Sequence, residues 1–470
     1  MLHGHALRLL WLTDSAMRSL LLISSLMLFC LPLHAEQRLR IHGSNTVGET
    51  LAPALVQRWM IAEGFSGVQR RELAFEEVEL RGQRAGEERI VQIHAHGSST
   101  AFTDLAAGQA DLGMSSRPVK DSDRRLHPRL AGLDQPEQEV VLALDGLAII
   151  VHPDSPLTEL RKDQVRALFT GAVRDWSQLA PGMRGAIRLH ARDDCSGTFD
   201  TFKSLVLEGA ALAREASRYE STEQLAAEVA ADPLAIGFVG LAGVRGVRAL
   251  AISDGGSALP PSVEDVAVED YPLSRRLYLY LPEDAPPLAQ AFAEFALSAS
   301  GQQEVERAGF VAQNVRTYAA EPRPDVPPAY RELVQGAERL SLNFRFGAGS
   351  SLLDSKTLRD LDRLAGFLEQ PEFAGRPLIL LGFSDAVETL PAMALFISTD
   401  RADYIAQLLI RRGIDPSRVR GLGGAAPVAS NDSEIGRQRN RRVEVWLGPP
   451  GAQTAQLPAS RRDLGSGGFR

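Results

Sequence analysis

Cysteine is nearly missing from this chain. Two occur in 470 residues, Cys30 and Cys195, and Cys30 lies inside an apolar N-terminal stretch. An exported chain that keeps one cysteine has no internal disulfide, so its stability must come from packed cores. Cys195 has no obvious catalytic partner and reads as a small passive residue. Long apolar runs are just as scarce. The run 19–33 follows Arg18 and ends at Leu33-His34-Ala35 before polar Glu36. A charged start, a short apolar core and a small residue describe an export signal over residues 1–35, with Met17 as an alternative start. A membrane anchor is the other reading, for which the run is short. Bulky Phe29 before Cys30 argues against a lipoprotein site. Positive charge is in deficit: 51 Lys and Arg against 59 Asp and Glu give −8. That balance argues against a general nucleic-acid binder. The length suits about three ordinary domains, and 44% hydrophobic residues read as globular.

What the chain does have is a repeated local pattern. A strand-like run at 38–42 leads into Gly43-Ser44-Asn45-Thr46 and then a helix with Leu51, Leu55 and Trp59 inward. A second run at 90–95 leads into His96-Gly97-Ser98-Ser99-Thr100 and a helix over 101–107. A third at 186–190 leads through Arg192-Asp193-Asp194-Cys195-Ser196-Gly197-Thr198 into a helix over 199–208. Each turn leaves backbone N–H groups at a helix start, beside hydroxyls. Three such starts aimed at one point, with a guanidinium, make a site for a tetrahedral oxyanion. Between the second and third lies Asp111-Leu112-Gly113-Met114-Ser115-Ser116-Arg117-Pro118, a strand end with two hydroxyls and a cation. The apolar run 139–152, broken by Asp145-Gly146, suits a strand crossing between two lobes.

These residues resemble the periplasmic phosphate-binding proteins of ABC importers. The resemblance is carried by the Gly43–Thr46, Gly97–Thr100 and Gly113–Pro118 turns, by Arg192 with Ser196-Gly197-Thr198, by Ala235-Ile236-Gly237-Phe238 and by Tyr271-Pro272-Leu273-Ser274-Arg275. It spans most of 36–318. It implies an α/β fold of two lobes closing over one anion, with Ser44, Thr46, Ser98, Ser99, Ser115, Arg117, Arg192, Ser196, Gly197 and Thr198 binding phosphate. Members that select phosphate often carry a carboxylate where Ser116 stands, to accept the proton of monohydrogen phosphate. Asp193 or Asp194 is the substitute the sequence offers. No cofactor and no metal are expected. His94 and His96 share a strand face near His42, but a metal site needs a third ligand with matched geometry.

Residues 319–340 hold Pro322, Pro324, Pro327 and Pro328 and read as an extended linker. After it, alternating strand and helix patterns over 341–447 suggest a small α/β sandwich. Phe344 to Leu353, Gly382-Phe383-Ser384-Asp385, Ser398-Thr399-Asp400-Arg401-Ala402 and Gly436-Arg437 with Asn440-Arg441-Arg442-Val443-Glu444 resemble the OmpA-like domain that binds peptidoglycan. That resemblance implies that Asp385 pairs with the ammonium of a diaminopimelate side chain and Arg401 grips its carboxylate. An ordinary surface ion pair is the alternative. Phe383 replaces the usual His of the first motif. The tail 448–470 reads as disordered.

The expectation is therefore an exported, non-enzymatic solute-binding protein. It captures phosphate or a similar oxyanion and is tethered to peptidoglycan in the periplasm or at the outer membrane of a Gram-negative cell. An ABC permease or an outer-membrane component is an expected partner, and nucleic acid is not. A phosphatase-like enzyme and a scaffold with a degenerate pocket are the alternatives.

Overall fold

The computed structural model describes residues 36–450 apart from 180–181, 195, 321, 323–325, 348–352 and 388–389. The expected export signal, Cys195 and the tail beyond 450 lie outside the described residues. No helix among the described residues is long and apolar enough to cross a membrane.

Strands β1 (Glu36–Gly43), β2 (Ser66–Ala74), β3 (Glu77–Arg84), β4 (Glu87–His94) and β5 (Leu112–Ser115) build the first lobe, in the order β2-β3-β4-β1-β5. Leu39 and Ile41 alternate into its core, where Leu51, Leu55 and Trp59 of the helix Leu51–Ala62 meet them. That is the half-buried strand and amphipathic helix read from the sequence. β1 runs parallel to both β4 and β5. The turns that follow these three strands therefore lie together at one edge of the sheet, the edge at which ligands bind in open α/β sheets.

β6 (Glu139–Val151) carries the chain into the second lobe. There follow β7 (Glu159–Arg161), β8 (Arg188–Arg192), β9 (Ser217–Tyr219), β10 (Ala235–Gly240), β11 (Arg248–Ala249) and β12 (Ala251–Ser253), and β13 (Ser274–Tyr280) brings the chain back. The first half of β6 pairs with β13 and its second half with β10. All of β6 after Glu139 is buried. A strand covered on both faces reads as a continuous apolar run rather than an alternating one. Trp176, Phe169, Phe202 and Phe238 centre the second core, with the last two rings stacked at 3.9 Å.

The C-terminal sheet runs β14 (Thr317–Tyr318), β15 (Glu338–Arg345), β18 (Arg442–Leu447), β16 (Leu378–Gly382), β17 (Arg418–Gly421). The helices Ser355–Leu368 and Pro391–Ile410 supply Leu361, Leu364, Ile405 and Leu409 to its core. The described residues of 319–340 include a helix where the prolines suggest an extended connector. Pro328 occupies the first turn of a helix, Pro328–Val334, where its fixed φ and missing N–H cost nothing. Tyr330 and Val334, one turn apart, pack beneath Ile379, Leu381, Phe383 and Trp446. Thr317 and Tyr318, read with the two-lobed domain, pair instead with β15.

The C-terminal domain is docked against the segments that join the lobes. Asp270 lies just ahead of β13, is 2% exposed, and receives Arg345 at 2.7 Å, Arg339 at 2.9 Å and the Asn343 amide at 3.2 Å. Arg276 of β13 binds Asp354 at 2.6 Å, and Ser355 donates to Glu139 of β6 at 2.7 Å. Burial alone would raise the Asp270 carboxyl, but Arg339, Arg345 and Arg442 together hold it down to about 2. Asp354 behaves alike: burial opposes it, and Arg276 with the Thr357 N–H brings it to about 2.

Candidate anion-binding cleft

The three strand–turn–helix units meet at the boundary between the lobes. A run of side-chain contacts ties them together. Ser98 Oγ lies 3.0 Å from Ser116 Oγ. Ser116 donates to Asp200 of the second lobe at 3.2 Å. Arg275 donates to Asp200 at 3.4 Å, to Thr46 Oγ1 at 2.7 Å and to the Gly197 carbonyl at 3.2 Å. Thr46 Oγ1 in turn donates to that carbonyl at 3.2 Å. The first helix start of one lobe thus lies against the helix start of the other. Only glycine fits at 197, because a Cβ there would stand 2.5 Å from Thr46 Cα.

Arg192 closes the far wall. It is buried at the end of β8 and donates to Tyr219 O at 3.2 Å, Glu220 O at 2.7 Å and Thr222 Oγ1 at 2.6 Å. Those bonds use three of the five N–H groups of a guanidinium, leaving one on each terminal nitrogen. Such a pair matches two oxygens of an oxyanion. Arg192 lines a cleft of about 420 Å³ with Thr46, Glu49, Asp145, Gly197 and Thr198. Desolvation inside the cleft pushes the Glu49 carboxyl above its usual range, against the pull of Arg192. A larger cavity of about 660 Å³ on the second lobe is lined by His190, Tyr219 and Asp232 and includes none of the turn hydroxyls. Chemistry rather than size singles out the cleft.

Of the expected residues, Thr46, Arg192, Gly197 and Thr198 line one cleft, and Ser98 is linked to it through Ser116, Asp200 and Arg275. Ser44 is fully buried beside them, and its Oγ has no hydrogen-bond partner. Ser196 caps its helix by accepting the Thr198 N–H at 3.2 Å. Ser99 is exposed in the first turn of its helix. Two residues depart from the expectation. Ser115 Oγ donates to the Arg117 carbonyl at 2.7 Å and accepts the Arg117 N–H at 3.2 Å, so it is engaged in its own turn. Arg117 binds Asp123 at 2.7 and 3.2 Å and lies over the Phe102 ring, which directs its charge into the first lobe and not to the cleft. Of the acids offered in place of Ser116, Asp194 pairs with Arg218 at 2.5 Å, while Asp193 Oδ1 is buried without a partner.

Sequence reasoning missed the centre of the site. In the sequence Arg275 is only the last residue of the Tyr271–Arg275 motif, yet its side chain is 6% exposed and touches both lobes. It also binds buried Asp145 at 3.3 Å, which accepts from Thr201 Oγ1 at 2.9 Å. Asp200 sits one helical turn after Ser196 in an unremarked position. Its only sequence signal is its spacing from the cap.

The expected peptidoglycan pair is less open than an exposed ligand site. Asp385 is 1% exposed and binds Arg441 at 2.8 Å. Arg401 is also buried, donates to Phe383 O at 3.3 Å and lies 5.4 Å from the Phe346 ring centre. The alternative of an ordinary surface ion pair does not describe two buried side chains.

Residues 79–300 match the PBP superfamily domain, and residues 345–441 match the OmpA family. The phosphate-binding protein PstS of Pseudomonas aeruginosa is 32% identical over 243 residues, 47% of this chain and 73% of that protein. The phosphate-binding protein PstS of Bacillus subtilis is 27% identical over 216 residues, 46% of this chain and 68% of that protein. Among solved structures, a possible phosphate-binding protein from Planctomyces limnophilus superposes with a TM-score of 0.49 at 22% identity, covering 59% of this chain and 93% of that one.

Proposed function

We propose, since this chain belongs to the family of phosphate-binding proteins, that it is an exported, non-enzymatic receptor that closes its two lobes over one phosphate ion in the periplasm. The observation that carries the reading is the hydrogen-bonded run from Ser98 through Ser116, Asp200 and Arg275 to Thr46 and Gly197, next to the two remaining N–H groups of Arg192. A dehydrated oxyanion needs directed donors on every oxygen to offset its lost water. Ser44, Thr198 and Arg192 supply them, joined by Thr46 and Ser98 once their hydroxyls turn from the Gly197 carbonyl and Ser116 Oγ to the anion. The donors come from both lobes, and binding therefore favours the closed arrangement.

The carboxylate absent at Ser116 is supplied across the cleft by Asp200, which already meets the Ser116 hydroxyl. An acid there accepts the proton of monohydrogen phosphate and repels sulfate, which has none to give. Calorimetry of the purified chain tests this directly. Phosphate binds and sulfate does not compete. Asp200→Asn narrows the preference by about tenfold, the scale of one hydrogen bond to a charged group. Equal affinity for the two anions in the wild type rejects the assignment. Phosphomonoester turnover that disappears with Arg192 would replace the receptor with an enzyme.

The OmpA-family domain tethers the receptor non-covalently to peptidoglycan, with Asp385 and Arg401 as the pair that holds the diaminopimelate side chain. A tethered receptor holds phosphate at the envelope, where an ABC permease or an outer-membrane component exchanges it. In a sacculus pull-down the wild type is retained and the double variant Asp385→Ala/Arg401→Ala is released, with its thermal unfolding measured alongside to show that the domain is folded. Equal retention of a folded double variant removes the tether.

A further inference from the structure

We propose that Glu77, His94 and His96 bind one divalent transition-metal ion of the zinc class at the edge of the first lobe. The histidines alone offer two ligands, and the third comes from the neighbouring strand. Glu77 of β3 stands directly opposite His94 of β4 in the antiparallel register. His96 follows two residues on, at the turn into the helix Ser98–Ala106. Glu77 Oε1 lies 3.0 Å from His96 Nε2, and Glu77 Oε2 lies 3.9 Å from His94 Nε2. One ligand atom from each of the three residues falls within 4.8 Å of the others. Around a tetrahedral zinc ion, ligand atoms about 2.1 Å from the metal sit about 3.4 Å from one another. The two observed separations run to different oxygens of Glu77 and fall on either side of that edge, and turning the imidazole rings and the carboxylate draws the three ligand atoms, now within 4.8 Å of one another, onto it.

The surroundings restrict the rings. His94 stacks on His42 at 4.0 Å with 16° between planes, and His42 Nδ1 lies 2.8 Å from Asp104. Outer groups that fix ring orientation are what hold imidazole ligands in place. Glu76 places a carboxylate oxygen 3.8 Å from His96 Nδ1, while its other oxygen accepts the Asn45 amide at 2.7 Å. That bond joins the cluster to the Gly43–Thr46 turn of the anion cleft. The three ligand side chains are 25–38% exposed, which leaves a solvent side for a water as fourth ligand. Two imidazoles and one carboxylate favour zinc, cobalt, nickel or copper over magnesium and calcium.

The test is titration of the full chain with zinc and with cobalt, in buffer free of phosphate. One ion binds per chain, and cobalt develops the visible bands of a low-coordinate site. His94→Ala and His96→Ala each weaken binding about 100-fold and Glu77→Gln about tenfold, on the scale by which even outer-shell losses weaken metal sites. His127→Ala, outside the cluster, leaves binding unchanged, and circular dichroism shows that each variant is folded. Two results overturn the site: a wild type that takes up no more cobalt than the triple variant Glu77→Gln/His94→Ala/His96→Ala, or a triple variant that keeps one ion at wild-type affinity. Phosphate affinity is not the readout, so failure here leaves the receptor function standing.

Discussion

Arg192→Ala weakens phosphate binding by about 30- to 5,000-fold, the equivalent of about 2–5 kcal/mol for truncating one member of a buried, hydrogen-bonded charge contact. Two effects add. The anion loses its two-pronged guanidinium contact. The carbonyls of Tyr219 and Glu220 and the hydroxyl of Thr222 lose the donor that Arg192 gives each of them. The second effect loosens the loop between β9 and the helix Thr222–Ala231 that walls the cleft. Arg192→Lys recovers little, because an ammonium cannot satisfy three divergent acceptors and still present two parallel donors. Calorimetry reads the affinity, and a thermal scan separates a lost contact from a lost fold. An Arg192→Ala protein that binds phosphate within about threefold of wild type, below the cost of one ordinary hydrogen bond, would place the anion elsewhere.

The strand–turn–helix units were legible because each is local. Gly, Ser and Thr after a strand, followed by 3.6-periodic apolar residues, specify the turn and the helix start within ten residues. β6 was legible for a similar reason, its length and unbroken apolar run having few other uses. What stayed hidden was long-range pairing of charges. Arg275 meets Thr46 across 229 positions and Asp145 across 130, and no local pattern announces either. Arg117 misled for the same reason. A cation leaving a strand beside two serines suits an anion site, but Asp123, six residues on, binds it first. The prolines of 319–340 signal stiffness. The tyrosine and valine one turn apart that bury the helix Pro328–Val334 carried the stronger signal. The third ligand of the histidine pair depended on strand register, which β3, unread in the sequence, supplies.

Asp270→Ala lowers the stability of the docked C-terminal domain by about 3–5 kcal/mol, the cost of removing one partner from a buried ion pair. The reason is what remains. Arg339 and Arg345 are 12% and 5% exposed, and without Asp270 neither can return to water unless β15 leaves the lobe junction. The effect carries a pH signature. Asp270 has a folded value of about 2, below the roughly 3.9 of a free aspartate, so its stabilisation is present above that ordinary value. It fades as acid brings the pH down through about 2. Asp354, also held to about 2 at the same junction, adds to the wild type's acid loss and remains in the variant. The gap between wild type and Asp270→Ala in scanning calorimetry is therefore full near neutrality and shrinks below about pH 4. A constant gap down to about pH 2 would show that Asp270 acts through packing rather than charge. No gap at any pH would mean that the C-terminal domain is not held by this junction. In that case the OmpA-family domain hangs free of β6 and β13, and the proposed closure of the lobes over phosphate proceeds without moving it.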